Sequence, residues 1–395
     1  MALYIGLISG TSMDAIDAAL VDFDVEPLRV VATSATAFDP ALKARVAALI
    51  DRADSVALDE VGQIDVEIAR AFARATLNLL ATSGIRTDEI SAIGSHGQTL
   101  RHRPDLGFTW QIGDPNVLAE MTGIRVVADF RRRDVAAGGQ GAPLLPVFHD
   151  QVFRSDHEDR VIANLGGIAN ITVLKRGERG AGLPEAGSPG AGLPGAGLPE
   201  AGSPRAGRQP VSGFDTGPAN RLLDAWIGVH QGLPFDTQGR WAATGTVDEA
   251  LLAALLDEPY LRLPPPKSTG RELFNMDWLN AKLGSRARRP NDVQATLQKF
   301  TAVSLADAVR QCAPGAAIYV CGGGAHNSGL LAALAELTAP NRVASTRELG
   351  LDPDFVEAIA FAWFAKRTLQ GLPSSAASVT GAKGARVLGG VYAPA

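Results

Sequence analysis

Tyr4-Ile-Gly-Leu-Ile-Ser-Gly-Thr-Ser-Met-Asp-Ala-Ile-Asp-Ala-Ala-Leu-Val-Asp-Phe23 reads as a strand, a tight Gly/Ser/Thr turn and a second strand. The pattern returns at Val161-Ile-Ala-Asn-Leu-Gly-Gly-Ile-Ala-Asn-Ile-Thr-Val-Leu174. Each turn can aim backbone N–H groups and small hydroxyls at an anion, because glycine permits the φ values and close approach that a concave nest of amides requires. Two copies predict two similar domains, each offering a phosphate-gripping hairpin to one nucleotide bound between them. Ligand-free hairpins also favour Gly and Asp in their turns, so the reading depends on the residues around them.

A chain of 395 residues exceeds what one hydrophobic core usually fills, which agrees with two domains. Hydrophobic residues make up 46% and charged residues 20%, an ordinary balance for a globular protein with ample core. A net charge of −5 gives no general attraction to nucleic acid or anionic membrane, so any anion must be held locally by arginines and backbone amides. Neither nucleic acid nor membrane is an expected partner. Cys312 and Cys321 have neither CxxC spacing nor a disulfide framework and read as buried thiols in a reducing compartment. With no leader-like segment and no long uncharged apolar run, the expected location is the cytoplasm.

The pattern between the two cassettes alternates helix and strand. Helical spacing covers 40–54 and 55–83, Ile90–Thr99 reads as a strand ending in a loop, a helix is expected at Asn116–Thr122 and a strand at Ile124–Phe130. The second half repeats the order: strands near Ile162, Ile171 and Val211, helices at Ala219–Val229, Val247–Leu256 and Val293–Gln311, a strand at Ala317–Cys321, and helices at Ser328–Leu337 and Pro353–Leu369. Hairpin strands followed by alternating helix and strand define an α/β domain with a mixed sheet, here made twice. The segment 176–210 breaks the pattern with a five-residue repeat carrying Gly and Pro in every unit, such as Ala181-Gly-Leu-Pro-Glu185. It reads as a disordered surface insertion.

Several familiar sites are excluded. Lys267-Ser-Thr269 follows three prolines without the glycines of a P-loop, Gly139-Gln-Gly141 does not open a helix after a strand, and no HExxH or GxSxG is present. The polar groups that remain cluster at strand ends. Asp215, in Gly213-Phe-Asp-Thr-Gly-Pro-Ala-Asn220, ends an apolar strand ahead of a helix, where it can accept a proton from water or a hydroxyl, or simply cap the helix. Val320-Cys-Gly-Gly-Gly-Ala-His-Asn327 offers bare backbone to a base or diphosphate, or makes a tight strand-to-helix connection. Ala128-Asp-Phe-Arg-Arg-Arg-Asp-Val-Ala-Ala-Gly-Gly-Gln-Gly-Ala-Pro143 sets three arginines beside a Gly-rich loop, a pattern suited to a carboxylate or phosphate and also to a solvated face. His96 ends a strand as either a structural residue or a substrate contact. Glu357 lies in a strongly apolar helix and needs a partner or a site to face.

Six stretches in order, Gly6–Asp14, Gly94–Thr99, Asp129–Pro143, Gly213–Pro218, Pro266–Glu272 and Cys321–Ala325, make the chain resemble the anhydro-N-acetylmuramic acid kinase family. These are sugar kinases of the actin, Hsp70 and hexokinase superfamily. The resemblance implies two duplicated RNase H-like domains with mixed sheets and an interdomain cleft. It sets the first at 1–130, with residues from about 378 to 395 packing back on it, and the second at 131–377. It implies ATP-dependent opening of the 1,6-anhydro bridge with phosphorylation at O6, in cell-wall recycling, with Mg²⁺ on the ATP phosphates and a homodimer. By position, Asp215 matches the base that activates water. Gly10, Thr11, Ser12, Met13, Asp14, Ala15, Ile16 and Asp17 match the first phosphate loop, with Asp14 or Asp17 near the metal. Gly166 and Gly167 form the second turn, and Gly322, Gly323 and Gly324 the adenosine-side loop. Gln98, Asp129, Arg131 and Glu357 match sugar contacts. Ala15 and Ala219 stand where the family usually has Gly and are expected to be tolerated. A nucleotide-driven conformational protein of the Hsp70 or actin type is the alternative, although no peptide-binding domain follows the two cassettes.

Overall fold

The computed structural model describes residues 2–10, 13–51, 56–178 and 210–394. Thr11, Ser12 and most of the repeat insertion lie outside them. In chain order the strands are β1 (Leu3–Ser9), β2 (Ala15–Asp22), β3 (Arg29–Ala37), β4 (Ile90–Ser95), β5 (Gln98–Arg103), β6 (Phe108–Ile112), β7 (Val126–Ala128), β8 (Arg160–Leu165), β9 (Ile168–Leu174), β10 (Ser212–Pro218), β11 (Ala317–Cys321), β12 (Val343–Ser345) and β13 (Gly390–Tyr392).

Two sheets carry the duplication. One runs β13-β7-β4-β1-β2-β3 and the other β10-β9-β8-β11-β12. In each, three antiparallel strands (β1-β2-β3, β8-β9-β10) are extended by a parallel partner of the first strand (β4, β11) and a parallel partner of that one (β7, β12). The shared order 3-2-1-4-5, with the same strand senses, is stronger evidence of duplication than either turn. Each sheet builds its own core. Ile5, Leu7, Ile16 and Leu20 pack with Ile64, Ile68 and Phe72 of the helix Leu58–Ser83, while Val161, Ala163, Ile318 and Val320 pack with Leu305 and Val309 of the helix Pro290–Cys312.

The described residues fall into two compact units, one made of the chain up to Phe148 together with Phe355 onward, the other of His149 through Asp354. The boundaries expected at 130 and 377 are therefore corrected. Residues 131–148 and 355–377 pack with the first unit, and β13 pairs antiparallel with β7 of the same unit. The physical reason is a groove made by two glycines. Gly6 of β1 and Gly94 of β4 are register partners, and the helix Val356–Leu369 lies directly over them. A Cβ at Gly6 would stand 1.7 Å from the Ala358 carbonyl oxygen, and one at Gly94 2.0 Å from that of Phe361.

Smaller differences have local causes. The strand expected at Ile124–Phe130 is only Val126–Ala128, because Asp129 turns to φ 64°. The segment after β4, where a loop is expected, forms the β5–β6 hairpin. Cys321 is buried as expected, whereas Cys312 is half-buried, and neither is in a disulfide. No described helix is long and apolar enough to cross a membrane.

Candidate active site

The first unit gathers its polar residues along the edge where parallel β1, β4 and β7 end, the edge at which open α/β sheets bind ligands. β1 runs into Gly10, whose carbonyl accepts the Met13 N–H at 3.1 Å. Met13 takes φ 53°, a left-handed conformation rare for a residue with a long side chain, and that side chain is nevertheless buried. Met13 and Ile16 both belong to the core, so of these expected loop residues only the backbone is available to a ligand. Asp14 is exposed and pairs with Lys43 at 2.7 Å. Asp17 follows on β2, opposite Ile8. Ala15 opens β2 with φ outside the left-handed region, and Ala219 has φ −110°, so neither methyl strains its turn.

β4 ends in Ser95 and leads through His96 and Gly97 to Gln98. Gln98 is fully buried. Its Nε2 donates to the Thr99 carbonyl at 3.4 Å, and its Oε1 has no hydrogen-bond partner among the described residues, a cost tolerated where a polar ligand can approach. His96 resolves into the structural role. Its Nδ1 lies 2.9 Å from the Gly97 carbonyl, which makes Nδ1 the donor and leaves Nε2 to accept Arg131 Nε at 3.0 Å. Burial, reinforced by the neighbouring guanidinium, pushes its pKa well below the usual histidine value. The ring therefore remains neutral and orients Arg131, which also donates to the Gly141 carbonyl at 2.8 Å. That carbonyl belongs to the Gly-rich loop held by buried Asp134, whose carboxylate accepts from the Gly141 N–H and the Thr380 hydroxyl.

Asp129 follows β7 in a left-handed conformation, half-buried, with its carboxylate 3.4 Å from Arg132 Nε and its pKa raised by burial. Glu357 lies in the first turn of Val356–Leu369, four residues before Phe361, whose ring centroid is 4.8 Å from that of His96. The glycine groove thus brings Glu357 into the unit that carries Gln98, Asp129 and Arg131.

In the second unit, Gly166 and Gly167 form the β8–β9 turn. Their carbonyls accept from the N–H groups of Ala219, Asn220 and Arg221 at 3.0 to 3.2 Å, docking the turn on the N-terminus of the helix Asn220–Gln231. A trans peptide then aims the Gly167 N–H away from that helix. Gly322, at φ 76°, and Gly324 are required by packing, since a Cβ there would meet Asn164 Oδ1 at 2.6 Å and Leu165 Cβ at 2.5 Å. Gly323 has room for a Cβ, which would meet only Asn220 Nδ2, at an ordinary contact distance of 3.8 Å.

Asp215 lies on edge strand β10, 6% exposed. Its Oδ2 accepts the Thr269 backbone N–H at 2.9 Å, its own N–H donates to the Lys267 carbonyl at 3.3 Å, and its carbonyl accepts the Tyr260 hydroxyl at 2.8 Å. It does not cap the following helix, whose N-cap is Ala219. In the sequence Lys267 and Thr269 served to exclude a P-loop and, within Pro266–Glu272, to carry the family resemblance, without any role at Asp215. Their contribution is a backbone amide and a backbone carbonyl, which no residue type announces.

A family model described as anhydro-N-acetylmuramic acid kinase matches residues 2–193 and 203–394. The chain belongs to that family. A relative named anhydro-N-acetylmuramic acid kinase from Xylella fastidiosa is 48% identical over 99% of this chain and 96% of its own length. One from Xanthomonas axonopodis pv. citri is also 48% identical, over 99% and 98%, and one from Coxiella burnetii is 47% identical, over 98% and 97%. The matched ranges span both units.

Three histidines, His96 and His149 buried and His102 half-buried, give the fold an acid-sensitive signature. Burial pushes His96 well below 6.5, His102 to about 4 and His149 to about 3. Their stabilising contribution is complete above pH 6.5 and is lost as pH falls toward the folded values, because the unfolded chain then binds protons that the folded protein refuses. Asp65, Asp129 and Asp134, raised by burial, act in the opposite sense only near the carboxylate range. The thermal midpoint is expected to fall steadily from about pH 7 to about pH 5.5. A flat midpoint over that window contradicts the neutral histidines.

Proposed function

We propose that this protein uses ATP and water to convert 1,6-anhydro-N-acetylmuramic acid into N-acetylmuramic acid 6-phosphate and ADP, in recycling of cell-wall peptidoglycan. The observation that carries the mechanism is the restraint on Asp215: one carboxylate oxygen is anchored by an amide, and its peptide is fixed on both sides. Held in this way, the carboxylate takes a proton from water as the water oxygen attacks C1. The C1–O6 bond breaks, and O6 accepts the γ-phosphoryl group while ADP leaves. One base thereby serves ring opening and transfer, and the remaining task is positioning and charge stabilisation.

Arg131, oriented by neutral His96, suits the lactyl carboxylate, with Gln98 Oε1, Asp129 and Glu357 as acceptors for sugar hydroxyl and amide groups. The Gly10–Asp17 loop, Gly166 and Gly167 supply backbone to the phosphates, and Gly322–Gly324 back the adenosine. Mg²⁺ would neutralise phosphate charge. It is commonly held by one or two carboxylates plus the phosphates themselves, and Asp14, which is exposed, or Asp17 on β2 fits that need without a preformed cage. A homodimer belongs to the same proposal and is read from the mass in solution.

Incubation with ATP and the anhydro sugar is expected to yield a product heavier by one water and one phosphoryl group, seen by mass spectrometry. A product that gains phosphate with its ring closed, or water without phosphate, contradicts the coupling.

A further inference from the structure

The segment that braces Asp215 is itself locked by a buried lysine. Lys267 is 8% exposed, and its ammonium donates to the carbonyls of Tyr260 at 3.2 Å and Leu261 at 3.0 Å. It lies 4.8 Å from the ring centroid of Tyr260 and 5.5 Å from that of Phe214, the residue preceding Asp215. A cation over two aromatic faces with two carbonyl acceptors is compensated for burial by dipoles and π-faces in place of a carboxylate. Desolvation lowers its pKa, and the Cys312 and Asp215 charges pull it back up.

We propose that Lys267 is a positioning residue for Asp215: its ammonium pins residues 260–269 so that three contacts fix the aspartate. These are the Thr269 N–H on Oδ2, the Lys267 carbonyl on the Asp215 N–H, and the Tyr260 hydroxyl on the Asp215 carbonyl. All three come from a loop with no strand of its own, laid along the open side of edge strand β10. Its conformation therefore depends on what ties its two ends together. Lys267 does so by bonding back across six or seven residues to the turn Pro259–Arg262. Without that tie the loop can slide along β10, and the carboxylate loses its anchored oxygen. The inference rests on Asp215 being the base.

Lys267→Met keeps the apolar stem and removes the ammonium. It is expected to lower kcat about 100-fold, the scale of a misplaced catalytic group. KM for ATP and for the sugar should stay within about threefold, because the loss falls on the transition state and not on binding. Tyr260→Phe removes only the hydroxyl on the Asp215 carbonyl and is expected to lower kcat about tenfold, again with KM held, at the cost of one unmade hydrogen bond. If Lys267→Met does not fold, the Tyr260→Phe result decides. Folded variants whose kcat stays within about twofold of the parent overturn the inference, as does a loss confined to KM. Asp215→Asn, measured alongside, separates the two ideas. An inactive Asp215→Asn beside a fully active Lys267→Met removes only the positioning role, whereas an active Asp215→Asn removes the base itself.

Discussion

Asp215→Asn is expected to lower turnover by about 10³- to 10⁴-fold, toward the upper end of what a general base contributes, while ATP affinity changes little. The amide oxygen can still accept the Thr269 N–H, and the Asp215 N–H and carbonyl bonds to Lys267 and Tyr260 are made by backbone that the substitution leaves alone. Geometry is thus kept while the proton acceptor is removed, so the loss reports chemistry. Steady-state turnover and equilibrium nucleotide binding check the two halves of this expectation. Parent-like turnover removes Asp215 from the base role, and lost nucleotide binding means that the residue acts on the ligand instead.

The second large effect is on stability. Gly94→Ala is expected to destabilise the first unit by about 3 kcal/mol, the upper range for forcing an extra group into a packed core. The obstacle is backbone: the new Cβ would lie 2.0 Å from the Phe361 carbonyl oxygen, and neither strand nor helix can rotate away as a side chain could. At this size the thermal midpoint should fall by on the order of 10 °C. Because the helix would have to lift, Glu357 and the Phe361–His96 contact move with it, and activity falls beyond the loss of folded protein. Gly62→Ala provides the contrast. Nothing lies within 4 Å of a Cβ there, in the second turn of the helix Leu58–Ser83, so the methyl is expected to stabilise by about 0.5 to 1 kcal/mol. Equal effects at the two positions would remove the groove argument.

Periodicity and turn chemistry made the α/β elements and their repetition legible, because both cassettes pair alternating apolar strands with Gly turns. What they could not give was the sheet on which each helix packs. Val356–Leu369 is buried on nearly every side, so its pattern announces burial without a direction, and the direction is set by two glycines far apart in sequence. Among the proposed site residues, Asp215 was legible by type at a strand end, whereas Arg131, Asp129 and Gln98 came only from the family resemblance, because an arginine run beside a Gly-rich loop does not choose among its own members. His96 was visible as a polar group at a strand end, yet its role depends on which ring nitrogen faces Arg131, a matter of fold. The brace on Asp215 was not legible because two of its three contacts come from main-chain groups of Lys267 and Thr269, and the tie that holds them joins a side chain to the carbonyls of Tyr260 and Leu261. In the triple glycine, packing accounts for Gly322 and Gly324 but not for Gly323, where a Cβ would make only an ordinary contact.

The measurement closest to the central claim is ADP release from ATP with and without the anhydro sugar. One carboxylate that activates water for ring opening and thereby frees O6 for transfer predicts ADP formation that is negligible with ATP alone and proportional to sugar consumed, one for one. ADP released at a similar rate without the sugar, or ring opening that proceeds without ATP, would contradict it.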